Sequence, residues 1–205
     1  MPAMATPEFP RADPASPEFW DMRYRAAFTP WDAGAVPARL RAFVAGQPPA
    51  GPVLVPGCGT GHDVRFLAEA GFDVLGVDFS AAAIAAAAGV AGPFASRLRH
   101  GDFFGHGLDG PWALVYERAF LCSLPRRRWP DWGRRVGELL VPGGLLAGFF
   151  FFGEGGRGPP YPLAGQDELD ALLAGAFERR EDLAVEESIP VFAKRERWQV
   201  WRRRG

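Results

Sequence analysis

One stretch constrains this chain more than any other: Val53-Leu54-Val55-Pro56-Gly57-Cys58-Gly59-Thr60-Gly61-His62-Asp63. It reads as a short apolar strand, a G-x-G-x-G turn and the start of a helix. Glycine is needed where the backbone turns tightly and approaches a ligand with no Cβ in between. The turn therefore marks a cofactor site. The dinucleotide fingerprint G-x-G-x-x-G/A fails at its third position, which is His62, so a pyrophosphate-bearing cofactor is disfavoured.

The next strand, Asp73 to Val77, is followed by an acid, Asp78, 21 residues after Gly57. At the carboxyl end of the strand beside the glycine turn, a carboxylate can accept hydrogen bonds from both hydroxyls of a ribose. Further on, Gly101-Asp102-Phe103-Phe104 follows a third strand near Arg97 to His100. If that strand neighbours the second, Asp102 can accept from an adenine amino group, while Phe103 offers its backbone N–H and ring to the base. S-adenosylmethionine has an adenosine and an amino-acid tail but no phosphate, and it fits this set. The order strand, glycine turn, helix, strand, acid points to a Rossmann-like class I methyltransferase fold.

Around this stretch, short apolar runs alternate with helical patterns, the sign of a parallel sheet covered on both faces. Helices are expected at Pro17 to Ala27, Pro37 to Val44 (stopped by Gly46 and Pro48-Pro49), Asp63 to Ala70, Ser80 to Ala88, Arg128 to Leu140 and Asp167 to Phe177. Trp112 to Glu117 is the fourth strand and Leu145 to Phe152 the fifth, apolar on both faces and central. Two more extended segments, Leu183 to Ser188 and Phe192 to Arg202, form an antiparallel terminal pair. The expected architecture is an α/β, doubly wound, seven-stranded and mostly parallel sheet with an antiparallel C-terminal strand. Residues 17–205 make one domain, with 17–50 as an N-terminal helical cap and 1–16 as a mobile arm.

Composition narrows the partners. Gly (26) and Pro (20) are abundant for 205 residues, but 48% hydrophobic content and 17 Phe with 7 Trp exclude a disordered chain. A net charge of -1 argues against nucleic acid or an anionic membrane surface, and no apolar run is long enough to cross a bilayer. Cys58 and Cys122 lack CxxC spacing, and His62, His100 and His106 lack ligand spacing, so no metal is expected and the compartment is a reducing cytoplasm. A monomer acting on a small molecule is the expected form. Cys58 reads as packing, the Arg126 to Arg128 and Arg202 to Arg204 runs as solvated, and Phe149 to Phe152 as buried strand.

From Phe19 onward the chain resembles the thiopurine S-methyltransferase superfamily, including its halide and thiol methyltransferase branch. Phe19-Trp20-Asp21 with Thr29-Pro30-Trp31-Asp32-Ala33-Gly34 is similar to the family's tryptophan-rich cap, and Val55-Pro56-Gly57-Cys58-Gly59-Thr60-Gly61-His62-Asp63-Val64 is similar to the halide/thiol branch. Tyr116-Glu117-Arg118-Ala119 and Gly158-Pro159-Pro160-Tyr161 instead resemble bacterial thiopurine-type members. The resemblance implies S-adenosylmethionine as methyl donor and S-adenosylhomocysteine as product. Trp20, Tyr24 and Trp31 are implied at the methionine end, Gly57 at the turn, Asp78 on the ribose, and Asp102 and Phe103 at adenine; Gly59, Phe79 and Glu117 complete the expected cofactor-binding set. Arg118 is implied as the catalytic residue facing the acceptor, with Cys122 and Tyr161 beside it.

Read from the residues alone, Trp20 and Tyr24 stand i, i+4 on one helix face, and with Trp31 three rings can close over a sulfonium, where cation–π attraction contributes about 0.5–2 kcal/mol. Transfer from a sulfonium to a soft anion removes charge, so a dry pocket favours it, and Arg118 can bind or acidify a thiol. Asp32 and Glu117 are the nearest proton acceptors. The expected reaction is S-methylation of a small thiol, a thiopurine-like sulfur or a related soft anion. A halide or selenium/tellurium oxyanion methyltransferase, a non-catalytic module that binds S-adenosylmethionine, and an NAD-dependent oxidoreductase are the alternatives.

Overall fold

A computed structural model of the protein describes residues 7–46 and 50–205. Residues 1–6 of the expected arm and the Pro48-Pro49 stop lie outside the described residues. Helix α1 (Pro17–Arg25) starts with Pro17 in its first turn and Glu18 near its positive end. Helix α2 (Ala38–Ala45) ends at Gly46. Then come β1 (Val53–Pro56), α3 (His62–Glu69), β2 (Val74–Asp78), α4 (Ala81–Ala91), β3 (Leu98–His100), β4 (Trp112–Arg118), α5 (Trp129–Leu139), β5 (Leu140–Phe151), α6 (Gln166–Leu173), β6 (Phe177–Ala184) and β7 (Glu196–Arg203).

The strands form one sheet in the order β3-β2-β1-β4-β5-β7-β6. The first five are mutually parallel and β7 runs against both β5 and β6, the seven-stranded sheet expected from the sequence. Every residue of β1 is buried, and alternate side chains feed two cores. Leu54, Val115, Leu146 and Phe150 join Trp132 and Val136 of α5 on one face. Val53, Val55, Leu114, Tyr116, Phe149 and Trp198 pack with Val64 and Leu67 of α3 and Leu40 of α2 on the other. Each such large side chain contributes about 1.5–3 kcal/mol by leaving water.

The C-terminal third departs from the expected boundaries. Helix α6 stops at Leu173 rather than Phe177, and Phe177 opens β6, which ends at Ala184 where the sequence suggested a strand from Leu183 to Ser188. The reason is local. Gly175 breaks the helix, and Glu178-Arg179-Arg180-Glu181-Asp182 is a charged run that fits an edge strand, where charge blocks further pairing. The last strand likewise starts at Glu196, not Phe192.

Candidate active site

The carboxyl ends of β1, β2 and β4 open into one cavity of about 980 Å³, roofed by α1 and the turn that follows it. Gly57 and Gly59 hold left-handed backbone (φ 58° and 54°) in the turn leaving β1. A Cβ on Gly57 would lie 2.4 Å from the Phe120 ring, and one on Gly59 would lie 2.9 Å from the Tyr24 hydroxyl. The cap therefore rests directly on the glycine turn. Asp78 closes β2: its Oδ2 accepts from the Gly59 N–H (3.1 Å) and its Oδ1 from the Ser80 N–H (2.9 Å). Burial pushes the Asp78 carboxyl up to about 6, against those two N–H donors and the nearby His100. A buried carboxylate with spare lone pairs beside a glycine cradle suits a ribose.

Two acids hold the cap down, Asp21, which the sequence did not single out, and Asp32, which it offered as a proton acceptor. Asp21 of α1 accepts from the Ser80 hydroxyl (2.6 Å) and the Ala82 N–H (3.1 Å) at the start of α4. Asp32 accepts from the Thr60 hydroxyl (2.6 Å) in the glycine turn. The three cap rings come together as expected: Trp31 stands edge-on to Trp20 (5.3 Å between centroids) and to Tyr24 (6.0 Å). Burial raises the Tyr24 hydroxyl well above its usual range, so it stays protonated. Residues of the expected arm also reach the site, with Pro14 O accepting from Trp20 Nε1 (2.8 Å), Phe9 against Phe28 (5.7 Å) and Asp13 paired with Arg127.

At the far side of β2, Asp102 and Phe79 border the cavity, and Asp102 Oδ1 accepts from the Phe104 N–H (2.9 Å). The Phe103 ring lies edge-on between Phe104 (5.0 Å) and Phe120 (5.2 Å) and is buried in the core. It borders the cavity near Asp102, and hydrophobic packing against these two rings fixes its orientation.

The opposite end is built on Arg118, the last residue of β4. Ala119 follows it in left-handed backbone (φ 59°), a conformation that costs a non-glycine residue about 1–2 kcal/mol. Glu117 secures that turn, because its Oε1 accepts from the N–H groups of Phe120 (2.8 Å) and Leu121 (3.1 Å). Burial, set against these N–H donors, pushes the Glu117 carboxyl up to about 7. Glu117 is not among the cavity-lining residues. The expectation that it contacts the cofactor, or takes a proton from an acceptor, is corrected by this placement, since its side chain points to the turn it holds.

The Arg118 guanidinium stacks on Phe149 (4.3 Å) and reaches Glu196 Oε1 of β7 (3.4 Å). Cys122 and Tyr161 border the same end, joined by the Tyr161 N–H to the Cys122 carbonyl (2.7 Å). Burial drives the Cys122 thiol well above its usual value, so it packs rather than attacks. Sequence reasoning missed Glu196, which stands 78 residues from Arg118, and Asp63. Asp63 lies in the first turn of α3 on the cavity wall, its carboxyl pushed up to about 6 by burial despite nearby Arg118 and Tyr116. No helix is long and apolar enough to cross a membrane, and no metal-binding cluster occurs among the described residues.

Comparison with known proteins agrees with this geometry. The thiopurine S-methyltransferase family model matches residues 15–204. The chain is 31% identical over 165 residues to a probable thiol methyltransferase of Arabidopsis thaliana, covering 78% of this chain and 73% of that protein. It is 32% identical over 204 residues to a thiopurine S-methyltransferase of Bordetella petrii, covering 87% and 91%. The crystal structure of 1,6-didemethyltoxoflavin-N1-methyltransferase from Burkholderia thailandensis, with S-adenosylhomocysteine bound, shares the fold at a TM-score of 0.70 and 21% identity, covering 98% of this chain and 95% of that one.

Proposed function

The chain belongs to the thiopurine S-methyltransferase family, and from that premise we propose that it methylates the sulfur of a small thiol or thiopurine-like heterocycle carrying negative charge. It is an S-adenosylmethionine-dependent methyltransferase, and the bound donor supplies an electrophilic methyl on a sulfonium. The residues present suit that donor. Gly57 and Gly59 leave room for a close backbone approach, Asp78 receives the ribose, Asp102 and the Phe103 N–H meet the adenine, and Trp20, Tyr24 and Trp31 surround the sulfonium.

The observation that carries the acceptor reading is the single cavity running from Asp78 to Arg118 under the ring cap. Asp78 and Asp102 border one part of it, Arg118 and Cys122 border another, Arg127 stands near Tyr161, and Arg157 also lines the cavity. Arg157 has no ion-pair partner among the described residues. A guanidinium beside a thiol lowers its pKa and favours the thiolate, and the enclosed cavity aligns it with the methyl. The two cysteines are free, in keeping with a reducing cytoplasm, and one chain supplies every group named, in keeping with a monomer.

Incubation with labelled S-adenosylmethionine across aliphatic and aromatic thiols, thiopurines, halides and selenium or tellurium oxyanions tests the proposal. Turnover should be highest with an anionic thiol. Transfer to halide or oxyanion alone refutes the sulfur acceptor, and binding without transfer to any acceptor favours a non-catalytic module. Family membership sets the NAD-dependent oxidoreductase alternative aside.

A further inference from the structure

Six buried side-chain polar atoms lack a well-made hydrogen bond among the described residues, and four of them belong to two pairs of facing side chains near Arg118, Asp63 Oδ1 and Tyr116 Oη in one and Ser188 Oγ and Glu196 Oε2 in the other. The other two are the indole N–H groups of Trp112 and Trp132. Buried polar atoms without well-made hydrogen bonds are rare and mark places where a proton or a water is handled, and of these four side chains only Asp63 lines the cavity. Tyr116 and Arg118 are two apart on β4 and share its face, and α3 lays Asp63 over that face. Glu196 holds Arg118 from β7, and Ser188 faces Glu196.

Of the acids near Arg118, Asp63 alone lines the cavity with no N–H donor among the described residues holding its carboxyl, which the Tyr116 hydroxyl alone approaches as a donor. The oxygens of Asp32 are taken by Thr60 and Gly34 and those of Glu117 by the turn after β4, and Glu196 lies outside the cavity lining. We propose that Asp63 is the proton acceptor for a neutral thiol, with Arg118 steadied by Glu196 to polarise the same sulfur, so that the enzyme does not depend on pre-ionised acceptors. This rests on the sulfur-acceptor reading given above. The thiol S–H bond breaks and its proton passes to the Asp63 carboxylate. The freed electron pair forms the new S–CH3 bond, and the pair of the breaking C–S bond stays on the donor sulfur as a neutral thioether. The proton then leaves Asp63 to water when product departs. The groups that face Asp63 are Arg118 and Tyr116 of β4, Arg41 of α2 and Asp32 of the cap turn. Burial keeps its carboxyl near 6, where a base is largely ionised at neutral pH yet still takes a proton.

The test compares wild type with Asp63→Asn near neutral pH on two acceptors, an aliphatic thiol that is protonated there and a nitro-substituted aromatic thiol that is already ionised. Loss of a general base costs about 100- to 10,000-fold, so the ratio of aliphatic to aromatic turnover should fall at least about 100-fold. An unchanged ratio overturns the role of Asp63 while leaving the sulfur acceptor standing, whereas a wild-type enzyme that methylates neither thiol overturns both. A readout without turnover uses carboxyl-carbon nuclear magnetic resonance on the complex with S-adenosylhomocysteine. One resonance, absent in Asp63→Asn, should titrate near 6 and move when the aliphatic thiol binds. A resonance that ignores the thiol refutes the proposal, and if Asp63→Asn does not fold, Asp63→Glu with the wild-type titration decides it. Wild-type kcat/KM should show an acid limb near 6 with the aliphatic thiol that is missing with the ionised one.

Discussion

Replacing Asp78 with Asn separates what this carboxyl does for the ligand from what it does for the fold. Its pKa, raised from 3.8 to about 6, means that burial makes the ionised form cost about 3 kcal/mol in the empty protein. Asn removes that cost but turns one carboxyl oxygen into an NH2 that faces a backbone N–H of Gly59 or Ser80, an unmade bond worth about 1–3 kcal/mol. The two nearly cancel, so the melting temperature of the empty protein should move by only a few degrees, at about 2–4 °C per kcal/mol. The ligand sees the opposite. Charge-assisted bonds from two ribose hydroxyls contribute about 1.5–3 kcal/mol each, and Asn retains only a weaker fraction. Losing about 2–4 kcal/mol should weaken S-adenosylhomocysteine binding about 30- to 700-fold by calorimetry. Wild-type affinity should also fall as pH drops through about 6, because binding favours the ionised carboxyl, while the variant stays flat. An Asp78→Asn protein that binds within about threefold of wild type, or a wild-type affinity that ignores pH across that window, refutes the ribose assignment.

Other perturbations read separate parts of the site. Trp31→Leu should weaken S-adenosylmethionine more than S-adenosylhomocysteine, by about 2- to 30-fold, because only the sulfonium draws on cation–π attraction; equal losses by calorimetry would make Trp31 a packing residue alone. Gly59→Ala places a Cβ 2.9 Å from Tyr24 Oη at φ 54°, so homocysteine-product affinity should drop at least about tenfold while the fold survives with a loss of about 1–2 kcal/mol. Arg157→Ala should raise KM for a carboxylate-bearing thiol several-fold and leave an uncharged thiol little changed, since Arg157 borders the cavity without an ion-pair partner. The carboxyls of Asp63, Asp78 and Glu117 are all raised in the folded protein. The native state therefore binds protons more tightly than the unfolded chain, and this stabilisation is complete below about pH 4 and lost as pH rises through about 6 to 7. The empty protein should melt lower at about pH 7.5 than at about pH 5, and a rise in scanning calorimetry would contradict the burial of these groups.

Local features were legible in the sequence because their physics is local. The glycine turn, Asp78 at a strand end and the i, i+4 cap rings each occupy a few consecutive residues whose backbone needs give them away. What escaped depends on contacts between distant elements. Asp63 in the first turn of a helix reads as a match to the helix dipole, and only the packing of α3 over β4 shows that it is buried beside Arg118. Glu196 sits among charged residues of a terminal strand, and its link to Arg118 exists only because β7 pairs with β5. Glu117 was placed in the site because its neighbour Arg118 lines the cavity, whereas alternation along β4 sends Glu117 to the other face, onto the turn it holds. Strand β6 was misplaced because its sheet-edge position, which tolerates charges, cannot be read from the run of charges itself.

The distribution of charge around the cavity bears on rate as well as binding. A carboxylate against the sulfonium would hold the donor more tightly than the transition state, because the positive charge fades as the methyl moves. On the proposed reading the cap instead offers the sulfonium the ring faces of Trp20, Tyr24 and Trp31, which attract a cation by about 0.5–2 kcal/mol, so little is lost when it becomes a neutral thioether. The carboxylates beside the cap are directed elsewhere, Asp78 to the Gly59 N–H and Asp32 to the Thr60 hydroxyl. Arg118 shares its charge with Glu196, which on the proposed reading moderates its hold on a thiolate whose charge also disappears. That reading orients both reactants by contacts remote from the reacting atoms and holds them gently at the atoms themselves, the distribution that differential binding favours for a reaction in which charge is destroyed.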